Sequence, residues 1–98
     1  MYEIVIPDNL QLNLRSIPQK VLRKLLQDVK ARLRNNPAVA EPPTVKQLKG
    51  WKGLYRLRIL KDYRAIYRID QDSKVVTLLI VGHRSKVYEQ LGHDMEKD

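Results

Sequence analysis

The sequence predicts an α+β domain in which helices cover one face of an antiparallel sheet. A long amphipathic helical pattern occupies residues 16–34, and three strand patterns follow one another through residues 54–82. A short apolar strand at residues 2–6 comes before the helix. Because successive strands joined by short turns pair in antiparallel fashion, the later strands form a three-strand meander. We therefore expect one domain, residues 1–98, with a four-stranded sheet and a short C-terminal helix.

The N-terminal part of the chain supplies the first strand and a helical hairpin. The strand stops at Pro7, and residues 10–17 fit either a strand or one face of a helix, of which a short helix is favoured. Ser16 and Gln19 have the spacing of a capping box, with Pro18 in the first turn of the next helix. That helix is expected to end before Pro37. Its apolar residues at helical spacing are Val21, Leu22, Leu25, Leu26, Val29 and Leu33.

The meander places apolar and basic side chains on opposite faces. Residues 37–47 contain three prolines and are expected to form a connector. From Leu54 the pattern has period two, so that tyrosines and aliphatic residues face the core while arginines face the other way. Tyr55, Tyr63 and Tyr67 have the core parity. The other face is expected to be open, and the arginines that point into it are Arg56, Arg58, Arg64 and Arg68.

Basic residues dominate this part of the chain. The net charge is +8, and residues 52–68 contain six cations but only one anion, Asp62. A solvated face would mix both signs, whereas like charges on neighbouring strands repel one another. The pattern favours a polyanion site over a merely solvated face. The choice of arginine also favours a site for the phosphates and bases of a nucleic acid, because the planar guanidinium donates paired hydrogen bonds to phosphate and stacks on rings.

Composition excludes several other classes of site. The chain has no cysteine, which rules out disulfides, thiolate zinc sites and cysteine nucleophiles. It lacks an apolar run of the roughly 18–20 residues that a membrane span needs, and its N-terminus lacks the pattern of a signal peptide. We therefore expect a cytoplasmic protein without membrane contact. No acidic cluster suggests a metal site.

Two segments together resemble the RelE family of bacterial and archaeal toxin–antitoxin systems. They are "LKGWKGLYRLRILKDYRAIYRID" and "KVVTLLIVGHRSKVY", in this order and at this spacing. The resemblance is close over residues 46–88 and loose over residues 1–35. It implies a small α+β endoribonuclease that cuts mRNA in the A site of the translating ribosome by attack of the 2′-hydroxyl, with no metal or cofactor. It also implies an acidic, RelB-like antitoxin as partner.

The resemblance assigns roles to individual residues. Arg56 and Arg58 match two basic residues of the family's second strand, and Arg64 in "DYR" matches an arginine of the third. These three are expected to hold and neutralise the scissile phosphate. Arg84 in "GHR" is expected to assist the leaving group, and Tyr88 to stack on a base or take the 2′-hydroxyl proton. The further cations expected to bind substrate are Lys52, Lys61 and Arg68.

The general base remains open at this point. Some relatives carry lysine at the position of Arg56, but arginine is effectively never neutral. The candidates are Tyr88, His83 and water. His83 carries an imidazole, the side chain most often used as a general base, and lies beside Arg84, although it could equally serve only to position the end of the strand.

Two other functions fit the same pattern less well. A ParE-like protein shares the fold and inhibits DNA gyrase by binding it, which requires no phosphodiester chemistry. A non-catalytic, basic RNA-binding module is the other alternative. Cations gathered around one point favour the nuclease.

Overall fold

The computed structural model describes residues 1–38 and 44–91 of the chain. The described residues form five strands and three α-helices. The strands are β1 (Glu3–Val5), β2 (Val45–Gln47), β3 (Leu54–Ile59), β4 (Tyr63–Asp70) and β5 (Val75–His83). The helices are α1 (Asp8–Leu14), α2 (Gln19–Asp28) and α3 (Arg84–Gln90).

One mixed sheet contains all of the strands, in the order β1-β5-β4-β3-β2. Strands β3, β4 and β5 form the predicted antiparallel meander, and β1 pairs with β5 in parallel. The α+β prediction is confirmed. Strand β2 is an addition to the four predicted strands: it lies in the segment expected to be a connector and pairs with β3. Residues 39–43 of that connector lie outside the described residues.

The helical hairpin forms largely as expected. The short helix favoured for residues 10–17 is α1, which spans Asp8–Leu14. Helix α2 continues through one π-helical turn, Val29–Leu33, in which the Arg34 N–H donates to the Val29 carbonyl (3.1 Å). The predicted capping box is wrong. Pro18 is the N-cap of α2, while the Ser16 hydroxyl donates backward to the Asn13 carbonyl (2.9 Å). The serine thus satisfies the end of α1 instead of the start of α2.

The main core lies between the helical hairpin and the sheet. Tyr55 and Tyr67 are confirmed as core residues, with stacked rings whose centroids are 5.6 Å apart. The Tyr67 hydroxyl donates to the Pro37 carbonyl (2.9 Å), which ties the chain after α2 to the middle of the sheet. Burial raises the pKa of the Tyr67 phenol above its ordinary value. Tyr63 is half-buried and packs at the edge of this core.

A second, smaller core lies on the opposite face of the sheet. Val87 of α3 packs there against Leu54 and Ile66, together with Leu48. Leu54 and Ile66 lie on the same side of β3 and β4 as the arginines. Helix α3 therefore covers part of the face that the sequence predicted to be open. Within the described residues, no helix is both long and apolar enough to cross a membrane.

Candidate functional site

Strand register places three arginines side by side. Arg58 on β3 is directly opposite Arg64 on β4, and Arg64 is opposite Gly82 on β5. Arg56 lies two residues from Arg58 along β3 and is opposite Ile66. Because paired residues of antiparallel strands point to the same side, all three side chains lie on one surface. We call this side of the sheet the arginine face.

The three arginines differ in their access to solvent. Arg56 and Arg64 are buried, with 2% and 1% of their surface exposed, whereas Arg58 is half-buried. The Arg64 Nη1 donates to the Lys61 carbonyl (3.1 Å) and the Tyr63 carbonyl (2.9 Å). The Nε of Arg58 is buried and finds no hydrogen-bond partner in the described part of the chain. Arg58 is therefore the member of this set with both access to solvent and an unused donor.

Arg84 joins the set through its backbone. It is the first residue of α3, and its N–H donates to the Asp62 carbonyl in the turn between β3 and β4 (2.8 Å). This bond brings exposed Arg84 beside the same turn that carries exposed Lys61. We call Arg58, Lys61, Arg64 and Arg84 the turn-end cluster. Neither Arg58 nor Arg84 forms an ion pair with a carboxylate of residues 1–38 or 44–91.

Tyr88 lies on the same side of α3 as Arg84, because residues four apart are neighbours on a helix surface. It is half-buried and packs against the second core, to which Ile66 and Leu54 belong. Since Ile66 is the cross-strand partner of Arg56, this core lies on the same side of the sheet as Arg56. The structure thus brings Tyr88 to the arginine face.

Two predicted substrate-binding cations lie elsewhere. Arg68 is opposite Leu54, four residues along β4 from Arg64, which is a distance of about 13 Å along the strand. Lys52 lines a groove with Arg68 and Asp70 at that far end. The structure does not bring Lys52 and Arg68 to the turn-end cluster.

His83 also lies apart from the arginines. It pairs with Tyr63 in the register, one residue beyond the Arg64–Gly82 pair, so its side chain is directed to the opposite side of the sheet. Its ring meets the Tyr63 ring edge-on (centroids 5.6 Å apart), and its Nδ1 accepts from the Ser85 N–H (3.3 Å) as the N-cap of α3. This geometry supports the positioning role that the sequence left as one of two readings for His83.

Lys46 is a site residue that the sequence analysis missed. It lies on β2 directly opposite Arg56 and is half-buried on the arginine face. The alternation of apolar and polar residues in "V-K-Q" before "LKG" is typical of a strand, but the nearby prolines favoured a connector.

The arrangement is suited to binding an anion and stabilising charge on it. Guanidinium groups held by the fold stabilise charge that develops in a transition state without reorganising. Within the described residues, no group of three or more histidines and carboxylates could hold a metal ion. The chemistry offered by these residues is therefore that of cations and one phenol.

The chain is similar to toxins of known type II toxin–antitoxin systems. The family model for the ParE toxin of the type II toxin–antitoxin system parDE matches residues 6–88. The RelE of the archaeal RelE–RelB complex from Pyrococcus horikoshii OT3 is 31% identical, with a TM-score of 0.71 over 87% of this chain and 97% of that one. The Mycobacterium tuberculosis RelBE2 complex contains a chain that is 25% identical, with a TM-score of 0.66 over 85% of this chain and 98% of that one.

More distant structures share the fold. The isolated Escherichia coli RelE toxin is 20% identical, with a TM-score of 0.69 over 93% of this chain and 95% of that one. No curated protein matches the chain by sequence.

Proposed function

This chain belongs to the RelE/ParE family of type II toxins, and on that basis we propose that it is a ribosome-dependent mRNA endoribonuclease. It would cut mRNA in the ribosomal A site and so inhibit translation, acting in the cytoplasm. The observation that carries the proposal is the turn-end cluster: Arg58 and Arg64 face each other across two strands, and Arg84 is anchored to the turn between them. Repulsion among these cations is offset most simply by a phosphate.

The proposed reaction uses the nucleophile that RNA itself provides. The 2′-hydroxyl oxygen attacks the adjacent phosphorus, the bond to the 5′-oxygen breaks, and the products are a 2′,3′-cyclic phosphate and a 5′-hydroxyl. The protein must hold the 2′-oxygen in line, neutralise the phosphorane-like transition state and supply a proton to the leaving oxygen. No metal ion takes part in this scheme.

Residues of the arginine face are assigned to these tasks. Arg58 binds the phosphate oxygens, because its half-buried side chain reaches solvent and forms no ion pair with a carboxylate of the described residues. Arg84 hydrogen-bonds the leaving 5′-oxygen, which takes its proton from water. Tyr88 stacks on a base or, as a phenolate, takes the 2′-hydroxyl proton. Arg56 lies beneath this surface and adds positive charge.

An acidic antitoxin is the proposed protein partner. The Pyrococcus and Mycobacterium relatives were solved as toxin–antitoxin complexes. A chain with net charge +8 attracts an acidic segment, which accelerates encounter and favours the correct partner. We propose a RelB-like antitoxin that binds through an amphipathic helix.

Gyrase inhibition is the second candidate. The observation in its favour is that the matching family model is that of ParE toxins. The turn-end cluster argues against it, since a protein that acts only by binding gyrase has no need for cations gathered around one point.

One experiment separates the candidates. The protein is added to a translation extract, the mRNA ends are mapped, and plasmid supercoiling by gyrase is assayed in parallel. Cleavage within codons that disappears when translation is blocked supports the nuclease. Intact mRNA with impaired supercoiling supports gyrase inhibition, and neither effect supports the RNA-binding module. An Arg58→Ala variant shows whether cleavage depends on the cluster.

A further inference from the structure

We propose that Lys46 binds an mRNA phosphate next to the scissile one, namely the phosphate on the 5′ side of the nucleotide whose 2′-hydroxyl attacks. This inference rests on the proposed ribonuclease function and adds a substrate contact to it. The contact lies on β2, the strand that was not predicted from the sequence. It extends the RNA-binding surface from the turn-end cluster to the β2 edge of the sheet.

The register of β2 places the Lys46 side chain on the arginine face. Lys46 is directly opposite Arg56, and paired residues of antiparallel strands point to the same side. Its neighbours Val45 and Gln47 point to the other side, because side chains alternate along a strand. Lys46 is therefore the one residue of β2 on the arginine face, where it is half-buried.

Contacts on both sides of Lys46 fix its position. Val45 is buried in the main core, and Leu48 is buried in the second core on the arginine face. The Arg58 N–H donates to the Thr44 carbonyl (2.8 Å), which continues the pairing of β2 with β3 as far as Arg58. Because the strand is held in this way, it presents the ammonium group to a substrate without reorganising.

Lys46 and Arg58 are diagonal neighbours across the two strands. Arg58 lies two residues along β3 from Arg56, the direct partner of Lys46. Diagonal neighbours of an antiparallel pair are about 7–8 Å apart. Two side chains that stand side by side at this distance can each bind a separate phosphate of one RNA strand. Lys46 can therefore hold a second phosphate while the turn-end cluster holds the scissile one.

The order of the strands indicates which phosphate Lys46 meets. Arg84, proposed to bind the leaving 5′-oxygen, begins α3 at the end of β5, and β5 and β2 lie on opposite sides of β4 and β3. In an in-line displacement, the attacking and leaving oxygens lie on opposite sides of the phosphorus. With the leaving oxygen toward β5, the 2′-oxygen and its nucleotide lie toward β2. The phosphate on the 5′ side of that nucleotide is thus the one nearest to Lys46.

A lysine suits this outer position. Its ammonium is a compact charge with three rotatable donors on a flexible stem, whereas the planar fork of arginine fixes the orientation of the group it binds. A phosphate that stays intact has to be held but does not have to be oriented for reaction. Lys46 should therefore contribute to binding of the mRNA more than to the cleavage rate of the bound complex.

The first test neutralises single phosphates of the mRNA and uses the wild-type protein. The linkage that the protein cuts is mapped, and an uncharged methylphosphonate then replaces either the first or the second linkage on its 5′ side. A 2′-O-methyl group on the attacking nucleotide allows binding to the programmed ribosome to be measured without cleavage. We expect the first replacement to weaken binding by about tenfold and the second to have no effect. Equal effects of the two replacements would overturn the inference.

The second test combines the first replacement with variants of the lysine. In Lys46→Met the replacement should cause no further loss of binding, because the cation that binds this phosphate is already absent. Lys46→Arg keeps the charge and should retain the loss of about tenfold. Lys20→Met, which removes an exposed lysine from α2, is the matched control and should behave as the wild type. An undiminished loss in Lys46→Met would assign this phosphate to another residue and reject the proposal.

Cleavage of unmodified mRNA separates this inference from the proposed function. In Lys46→Met the toxin concentration for half-maximal cleavage should rise by about tenfold, while the rate at saturation stays within about threefold of the wild type. Arg58→Met should instead lower the rate at saturation. An equal loss at saturation in Lys46→Met would place Lys46 at the scissile phosphate, against the inference. If the wild type cuts no mRNA on ribosomes, the proposed function fails and the inference falls with it.

Discussion

Arg58 and Arg64 are cross-strand partners on one face of the sheet, yet only Arg58 reaches solvent. The same residue type thus occupies two neighbouring positions with different surroundings. Arg58 is half-buried and has a buried Nε without a hydrogen-bond partner, whereas the Nη1 of Arg64 donates to backbone carbonyls.

Arg58→Ala and Arg84→Ala should each reduce mRNA cleavage by about 10²-fold or more, because each removes a cation from the transition state. Growth arrest on expression and mapping of mRNA ends measure the loss. Arg23→Ala, which removes an exposed cation from α2, is the matched control. Antitoxin binding should persist in all three variants. Full growth arrest by either cluster variant would remove that residue from the site.

His83 variants distinguish a helix cap from a general base. Asparagine is a good N-cap, so His83→Asn should keep both the stability of α3 and cleavage, while His83→Ala should lower the free energy of unfolding by about 1 kcal/mol. Urea denaturation and cleavage rates measured on both variants test this expectation. A large loss of cleavage in a stable His83→Asn protein would instead identify the imidazole as the base.

Tyr67→Phe should lower the free energy of unfolding by about 1 kcal/mol, because it leaves the buried Pro37 carbonyl without its donor. Tyr55→Phe is the control, because it removes a hydroxyl from the ring stacked on Tyr67. Within the described residues, the Tyr55 hydroxyl forms no hydrogen bond. Urea denaturation of the two variants gives the difference. Equal effects would show that the bond to Pro37 contributes nothing.

Leu60→Gly should raise the free energy of unfolding by about 0.5–1 kcal/mol, because glycine adopts a φ of 57° without steric cost and Leu60 is 42% exposed. Lys61→Gly, at a neighbouring position without positive φ, should be neutral or destabilising. Thermal denaturation compares the two. A destabilised Leu60→Gly protein would mean that contacts of the leucine outweigh its backbone strain.

Asp70 should make the free energy of unfolding depend on pH in the acidic range. Its carboxylate accepts the backbone N–H of Ser73 and that of Asp72, and these bonds hold its pKa below the ordinary 3.8, with Ser73 the larger cause. Because the folded pKa is the lower one, the stabilisation is present above the unfolded pKa and is lost as pH falls through the folded pKa. The wild type should therefore exceed Asp70→Asn in stability at pH 7, and the gap should close below about pH 3.8. A gap independent of pH would exclude the carboxylate charge as its source.

Strand periodicity was enough to predict the arginine face, because side chains on a strand alternate between two sides whatever covers them. It did not predict how much of that face is covered. The signal was present in Leu54 and Ile66, which share the parity of the arginines and need a partner to pack against; α3 provides it through Val87. Arg64 is buried on the same face, which the sequence pattern alone does not show.

Local rules failed where two elements compete for one residue. Ser16 had a capping partner in Gln19 by spacing, but the end of α1 lies close enough to take its hydroxyl first. Strand β2 has only three residues, and its pairing with β3 depends on the distant meander and not on its own composition. The face of the sheet on which His83 lies relative to Arg64 depends on the register of β4 and β5, because a shift by one residue moves a side chain to the other face.

The parallel pairing of β1 with β5 joins residues 3–5 to residues 75–77. A nascent chain therefore cannot complete its sheet until residues 75–77 have been synthesised and have emerged from the exit tunnel, and Arg84 emerges later still. Contacts so distant in sequence also form slowly. Assembly of the arginine face and of the sheet beneath it thus lags behind elongation of the chain.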